Sequence, residues 1–454
     1  MSYQEFLNKK EFLTITAGFD YCGWMPDCIF QFQSDLVKWA LKRGRAALFC
    51  DTGLGKTLMQ LTWAYAVQDN EDKPVLLLAP LAVSAQTVRE GGKFGIECDY
   101  MREPSFANSR IHVTNYEMLK NFNPDDYSGI VLDESSILKG MDGKLRKSIT
   151  NFASKIPYRL SCTATPSPND FMELGTQAEF LGIMDQSEML AMFFIHDGGE
   201  TSKWRLKGHG KSKFWEWLST WACVLRNPSD LGYESDGYDL PPIVYHEHIV
   251  ETEPDGALFV DVAEGLQGRN KARKESLDDR VKIAAEIANK IDAPCLVWCN
   301  MNEEGDKLES LIVDSVNVYG SMKSDIKEKN LIGFTDGSVK KLISKPSIAG
   351  FGMNWQHCNQ MVFVGLSDSW EKYYQAIRRC YRFGQKSEVH VHIVSADTEG
   401  GVVANIKRKE WQNKEMGEQM VRYMRGFMER DIKGVTIEKA DYIPSEDIKL
   451  PNFL

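Results

Sequence analysis

The chain has 454 residues and a mass of 51.6 kDa, about three domain lengths, so two or three domains are expected. Hydrophobic residues make up 43% and charged residues 26%, ordinary globular usage that excludes wholesale disorder. No run reaches the roughly 18 apolar residues of a membrane span, so no membrane partner is expected. The net charge of −10 speaks against a protein that coats nucleic acid, but leaves open an enzyme with a locally basic groove.

In chain order, Met1 to Lys10 lack an apolar core behind a basic tip, so no secretory leader is expected and a cytoplasmic location follows. The scattered cysteines fit neither zinc spacing nor a disulfide framework, as expected of a reduced, intracellular protein. A first block alternates short apolar runs with helical patterns, predicting strands at Ala46–Cys50, Val75–Ala79, Ile111–Thr114, Gly129–Leu132 and Tyr158–Cys162. Such alternation marks βαβ units around a parallel sheet, hence an α/β fold. Residues 181–226 interrupt the pattern. They are rich in Met, Phe and Trp, and the stretch from Lys203 to Lys213 carries five Lys/Arg and no acid. The Gly, Pro, Ser and Asp content of 227–242 marks a linker. A second α/β block follows, with strands expected at Cys295–Cys299, Val316–Tyr319, Lys340–Ser344, Met361–Val364 and Val389–Val394. After about residue 401 a charged helical tail carries Trp411, Met416, Met420 and Tyr423 at helical spacing, a stripe read as packing.

The strongest local motif is Cys50-Asp51-Thr52-Gly53-Leu54-Gly55-Lys56-Thr57, placed between a strand and a helix. Gly53 and Gly55 let backbone N–H groups approach a triphosphate, and the helix N-terminus adds a positive dipole end. Lys56 reaches the β- and γ-phosphates and Thr57 ligates Mg²⁺, making ATP and Mg²⁺ the expected substrate and cofactor. Cys50 stands where the full pattern has a glycine. The adjacent acids Asp133 and Glu134 end a predicted strand. Asp133 suits a water-mediated Mg²⁺ ligand, and Glu134 a general base for the attacking water. Far along the chain, Arg379 and Arg382 share one helical face. They become arginine fingers if that face meets the phosphate loop, and a basic surface helix if it does not.

The order of these motifs resembles the Swi/Snf-type ATPases of helicase superfamily two, in the compact DEAD/DEAH-like form of phages and bacteria, from about residue 30 to about residue 400. Phe32-Gln33-Ser34-Asp35-Leu36-Val37-Lys38-Trp39 is similar to the family's adenine-reading element, which implies Gln33 at the base. Ala79-Pro80-Leu81-Ala82-Val83, Thr114-Asn115-Tyr116-Glu117, Arg159-Leu160-Ser161-Cys162-Thr163-Ala164-Thr165-Pro166 and Gly350-Phe351-Gly352-Met353-Asn354 resemble further family motifs. Gln375-Ala376-Ile377-Arg378-Arg379-Cys380-Tyr381-Arg382-Phe383-Gly384-Gln385 fits the family's Gln-Ala-x-x-Arg-x-x-Arg-x-Gly-Gln at every fixed position. Ser135 and Ser136 depart from the family's Ala-His.

The resemblance implies two tandem RecA-like lobes with parallel sheets, at 1–180 and 241–400. A short helical insertion and linker at 181–240 and a helical C-terminal tail at 401–454 complete the chain. ATP would lie between the lobes, touched by Gln33, Gly53, Gly55, Lys56, Thr57, Asp133, Glu134, Gln375, Arg379 and Arg382. Thr114, Thr163, Thr165 and Asn354 would hold phosphates of double-stranded DNA without sequence specificity. Lys203, Trp204, Arg205 and Lys207 make a candidate DNA contact, with a solvated loop whose tryptophan packs inward as the other reading; Arg269–Lys274 is a shorter basic candidate. The leading expectation is an ATP-dependent translocase on duplex DNA, with possible protein partners in replication, recombination or repair. The alternatives are a strand-separating helicase and an ATP-gated DNA-binding switch that does not move.

Overall fold

The computed structural model describes residues 17–433 apart from 105–108, 141–142, 168–169, 197–203, 252–272, 350–352, 368 and 398–399. Lobe one is built on β1 (Arg45–Cys50), β2 (Val75–Ala79), β3 (Asp99–Tyr100), β4 (Ile111–Asn115), β5 (Gly129–Asp133) and β6 (Tyr158–Cys162). They lie within one parallel sheet of order β3-β4-β2-β5-β6-β1-β9, with β9 at Ala222–Leu225. A parallel sheet carries helices on both faces, so its strands must be apolar throughout. Val75, Leu76, Leu77 and Leu78 are accordingly all fully buried, as are Ile130, Val131 and Leu132.

Lobe two holds β10 (Ile243–Val250), β11 (Cys295–Trp298), β12 (Ser315–Val318), β13 (Lys341–Ser344), β14 (Gln360–Val364) and β15 (Val389–Ala396). Their order is β10-β15-β14-β11-β13-β12, again parallel at every pairing. Apolar clusters pack on both faces of this sheet. The two sheets with their flanking helices are tandem RecA-like lobes. Between β6 and β9 a small antiparallel hairpin pairs β7 (Phe194–His196) with β8 (Trp204–Leu206).

Two segments differ from the sequence reading. The stretch read as insertion and linker supplies β9, which pairs with β1 and closes one edge of the lobe-one sheet. Its aromatic residues Phe214, Trp215, Trp217 and Trp221 are buried in the lobe-one core, next to Phe171 and Phe193. An aromatic-rich stretch with no clean period hid a four-residue strand. The strand β10, inside the second block, was likewise not predicted, because its alternating exposure is that of an edge strand.

The C-terminal helix, Gly400–Lys433, touches both lobes. Val402 and Ile406 sit in the core of lobe two, whereas Met420, Met424 and Met428 sit in the core of lobe one. The buried stripe is therefore Met420-Met424-Met428, one residue per turn. Trp411 is 63% exposed, and Tyr423 stacks flat on Trp215 with ring centroids 5.5 Å apart. Asp431 fastens the far end, accepting from Trp39 Nε1 at 2.7 Å and pairing with Arg43.

Candidate nucleotide site between the lobes

The phosphate loop leaves the C-terminal end of β1, and the acid pair leaves the same end of β5. In open parallel sheets ligands bind at that edge. Gly53 and Gly55 have φ of 88° and 77°, a left-handed backbone that favours glycine. A Cβ at Gly55 would lie 2.2 Å from Gln33 Nε2, and one at Gly53 would lie 3.0 Å from the backbone nitrogen of Phe383 in lobe two. Glycine thus serves two close approaches, one within lobe one and one across the cleft. Gln33 Nε2 donates to the Leu54 carbonyl at 2.9 Å, while its Oε1 accepts from Phe30 N–H at 3.0 Å. Lys56 opens the helix Lys56–Asn70 and donates to the carbonyls of Cys50 and Asp51 at 3.0 and 3.2 Å. Thr57 follows it in the first turn.

At the end of β5, Asp133 Oδ1 accepts from Gln60 Nε2 at 2.8 Å. Glu134 takes φ +54°, an uncommon conformation for a residue with a side chain, and its Oε2 is buried without a partner. Burial raises the Glu134 carboxyl above the usual range; Lys56 opposes this and Asp133 adds to it. Burial likewise raises Asp133, against the pull of Gln60 and Lys56.

Lobe two approaches with the helix Trp370–Ile377 and the turns that follow it. Arg379 is 4% exposed and is held by Gln375, through the backbone carbonyl and through Oε1, at 2.9 Å each. It lies close enough to Glu134 and Asp133 for their charges to support its own, against burial and Arg382. Arg382 donates to the Met353 carbonyl at 3.4 Å. Gln375 Nε2 is buried without a partner. The structure therefore brings Lys56, Asp133, Glu134, Gln375, Arg379 and Arg382 to one cleft. Unpaired oxygen on Glu134, an unpaired amide on Gln375 and a glycine cradle suit a polyanion with its metal.

Several residues at this cleft carried no clear sequence signal. Arg378, at an unspecified position of its motif, pairs with Asp51 of the phosphate loop at 3.1 Å, and the Tyr374 hydroxyl donates to the same carboxylate. Burial would raise Asp51, but Arg378 and Tyr374 hold it below its ordinary range. Arg378 also lies over the Tyr374 and Tyr381 rings. Near Gln33, Phe30, Tyr238 and Phe383 cluster, with Tyr238 and Phe383 centroids 4.6 Å apart. A third set joins the lobes at Glu371, which accepts from Ser136 Oγ at 2.8 Å, Lys139 Nζ at 2.7 Å and Thr165 Oγ1 at 3.4 Å.

The expected nucleic-acid contacts fare differently. Thr114 and Thr163 are fully buried, and Thr165 is 4% exposed with its hydroxyl turned to Glu371. Thr163 Oγ1 accepts from Thr165 N–H at 3.1 Å. Thr114 and Thr163 therefore lie inside lobe one, while the Thr165 hydroxyl is engaged across the cleft. Asn354 is partly exposed, while Gly350, Phe351 and Gly352 lie outside the described residues. Lys203 also lies outside them, as does most of Arg269–Lys274. Trp204 packs against the lobe-one core, Lys207 donates to the carbonyls of Ala191 and Met192, and Arg205 is exposed.

Residues 279–384, which span most of lobe two, match the model of the helicase conserved C-terminal domain. The chain is 24% identical over 448 residues to putative protein p41 of Acyrthosiphon pisum secondary endosymbiont phage 1, covering 82% of this chain and 94% of that one. It is 20% identical over 436 residues to the DNA annealing helicase and endonuclease ZRANB3 of Mus musculus, covering 84% of this chain but only 40% of the mouse protein. Among solved structures it is similar to the Sulfolobus solfataricus SWI2/SNF2 ATPase core in complex with dsDNA, with 18% identity and a TM-score of 0.42 over 93% of this chain and 99% of that one. Lobe two thus carries the helicase conserved C-terminal domain, and the chain is similar over most of its length to a DNA annealing helicase.

Proposed function

We propose that the chain is an ATP-driven translocase on double-stranded DNA, working in the cytoplasm. One observation carries the reading: lobe two closes on the phosphate loop, where a Cβ at Gly53 would lie 3.0 Å from the Phe383 backbone nitrogen, with Arg379 buried in the preceding turn and held by Gln375. A surface helix has no need of such a buried cation, whereas a cleft that closes over phosphoryl transfer does.

In this reading Lys56 exchanges its carbonyl partners for the β- and γ-phosphates, with backbone N–H groups of the loop beside it. Gln33 reads the base, flanked by Phe30, Tyr238 and Phe383. Thr57 and Asp133 would hold Mg²⁺, which would supply neutralisation of phosphate charge. Glu134 takes a proton from the attacking water as its oxygen bonds to the γ-phosphorus and the bond to the β–γ bridging oxygen breaks. Arg379 and Arg382 offset the charge spread over the transferring group. Product release removes the contact that holds the lobes shut, and the lobes separate. DNA as the track follows the name of the mouse relative, and the exposed Arg205 and Asn354 are the candidate contacts.

The test is ATPase measured with duplex DNA, single-stranded DNA and RNA, beside triplex displacement and duplex unwinding. Turnover stimulated by any duplex, with triplex displacement and no unwinding, is the expected result. Stimulation by RNA alone overturns the reading. Duplex unwinding supports the strand-separating alternative, and stimulation without either movement supports the switch.

A further inference from the structure

We propose that Glu371 is a positioning residue of the hydrolytic cleft, fixing the turn that carries Glu134 against the helix that carries Gln375 and leads into Arg379. The inference rests on the ATPase reading above. Three donors from two separate lobe-one segments converge on this one lobe-two carboxylate. Ser136 and Lys139 belong to the turn after Glu134, and Thr165 to the turn after β6. Ser136 and Thr165 are nearly buried, and the Lys139 and Glu371 side chains are only 16% and 23% exposed, so this is not a solvated surface pair. On the lobe-two side Glu371 cannot drift, because Trp370 beside it is 5% exposed and Ser369 caps the helix by accepting from Lys372 N–H. A shift of the arginine helix therefore pulls directly on the residues that follow Glu134.

The same carboxylate reaches Glu134 electrostatically. The charged and titratable groups around Glu134 are Lys56 of the phosphate-loop helix, Asp133 of its own strand, Tyr116, and Arg379 and Glu371 of lobe two. Glu371 adds to the rise of the Glu134 carboxyl.

The experiment compares Glu371→Gln, Lys139→Ala, their double variant and the exchange of Lys139→Glu with Glu371→Lys, with thermal unfolding as a check on folding. Each single variant is expected to lower kcat about tenfold while KM for ATP stays within about twofold. The double variant should lose little more than either single one, because both break one link. The exchanged pair should regain part of kcat. If Glu371→Gln unfolds early, Lys139→Ala decides. A kcat within about twofold of the parent, or losses that multiply in the double variant, overturns the proposal. A parent chain that never turns over ATP overturns the ATPase reading and this proposal with it; turnover unaffected by the variants overturns this proposal alone.

Discussion

In the proposed mechanism Lys56 and Glu134 divide the labour of the cleft, so their variants should fail differently. Glu134→Gln keeps the shape but removes the base, so nucleotide titration should show binding while multiple-turnover ATPase nearly stops. Lys56→Ala should bind nucleotide poorly. Because burial raises the Glu134 carboxyl, the base is lost to protonation at a pH above the ordinary carboxylate range. Activity should therefore fall as pH is lowered, and the acid limb of kcat/KM, which reports the free enzyme, should lie above that range. Arg382→Ala, and Arg379→Ala, should lower stimulated kcat by at least about tenfold, since an arginine finger contributes about 10³–10⁵ in rate. Arg382→Lys should not restore it, because lysine lacks the planar fork. Retained kcat with loss of DNA affinity would instead make this segment a track contact.

At the scale of elements, the C-terminal helix shows how a stripe can mislead. The sequence offers several apolar residues at helical spacing, and no periodicity says which face finds a core. Met420, Met424 and Met428 do, and Trp411 does not. Met424→Ala should therefore cost lobe one about 2–5 kcal/mol, read as a lower denaturation midpoint. Trp411→Ala should change stability by less than about 0.5 kcal/mol. The phosphate-loop helix teaches the opposite lesson. Gly55 was legible in sequence as a cradle residue, and it is also the place where Gln33 packs against the loop. Gly55→Ala should abolish nucleotide binding through both the left-handed φ and the contact with Gln33.

For the whole molecule, most strands of both blocks and the motif at each sheet edge were legible because they are local. A buried parallel strand must be a continuous apolar run, and a phosphate loop must place glycines and a lysine at fixed spacing. What the sequence could not show is which distant residues meet. Asp51 and Arg378 carry opposite charges, yet nothing along the chain pairs them, and Arg378 stands at a position the motif leaves free. Glu371 reads as one acid in a helix, and only the closed cleft sets it against Ser136, Lys139 and Thr165. Thr114 and Thr163 looked available for phosphate contacts because a motif says nothing of burial; the sheet puts them inside. The sequence by itself determined two α/β lobes and placed a glycine-rich loop and an acid pair at the ends of their strands, since both depend on residue type at short range. The tertiary structure alone decided the cross-lobe pairs, the edge strand β9 and the anchoring face of the C-terminal helix, because these depend on contacts between segments far apart in the chain.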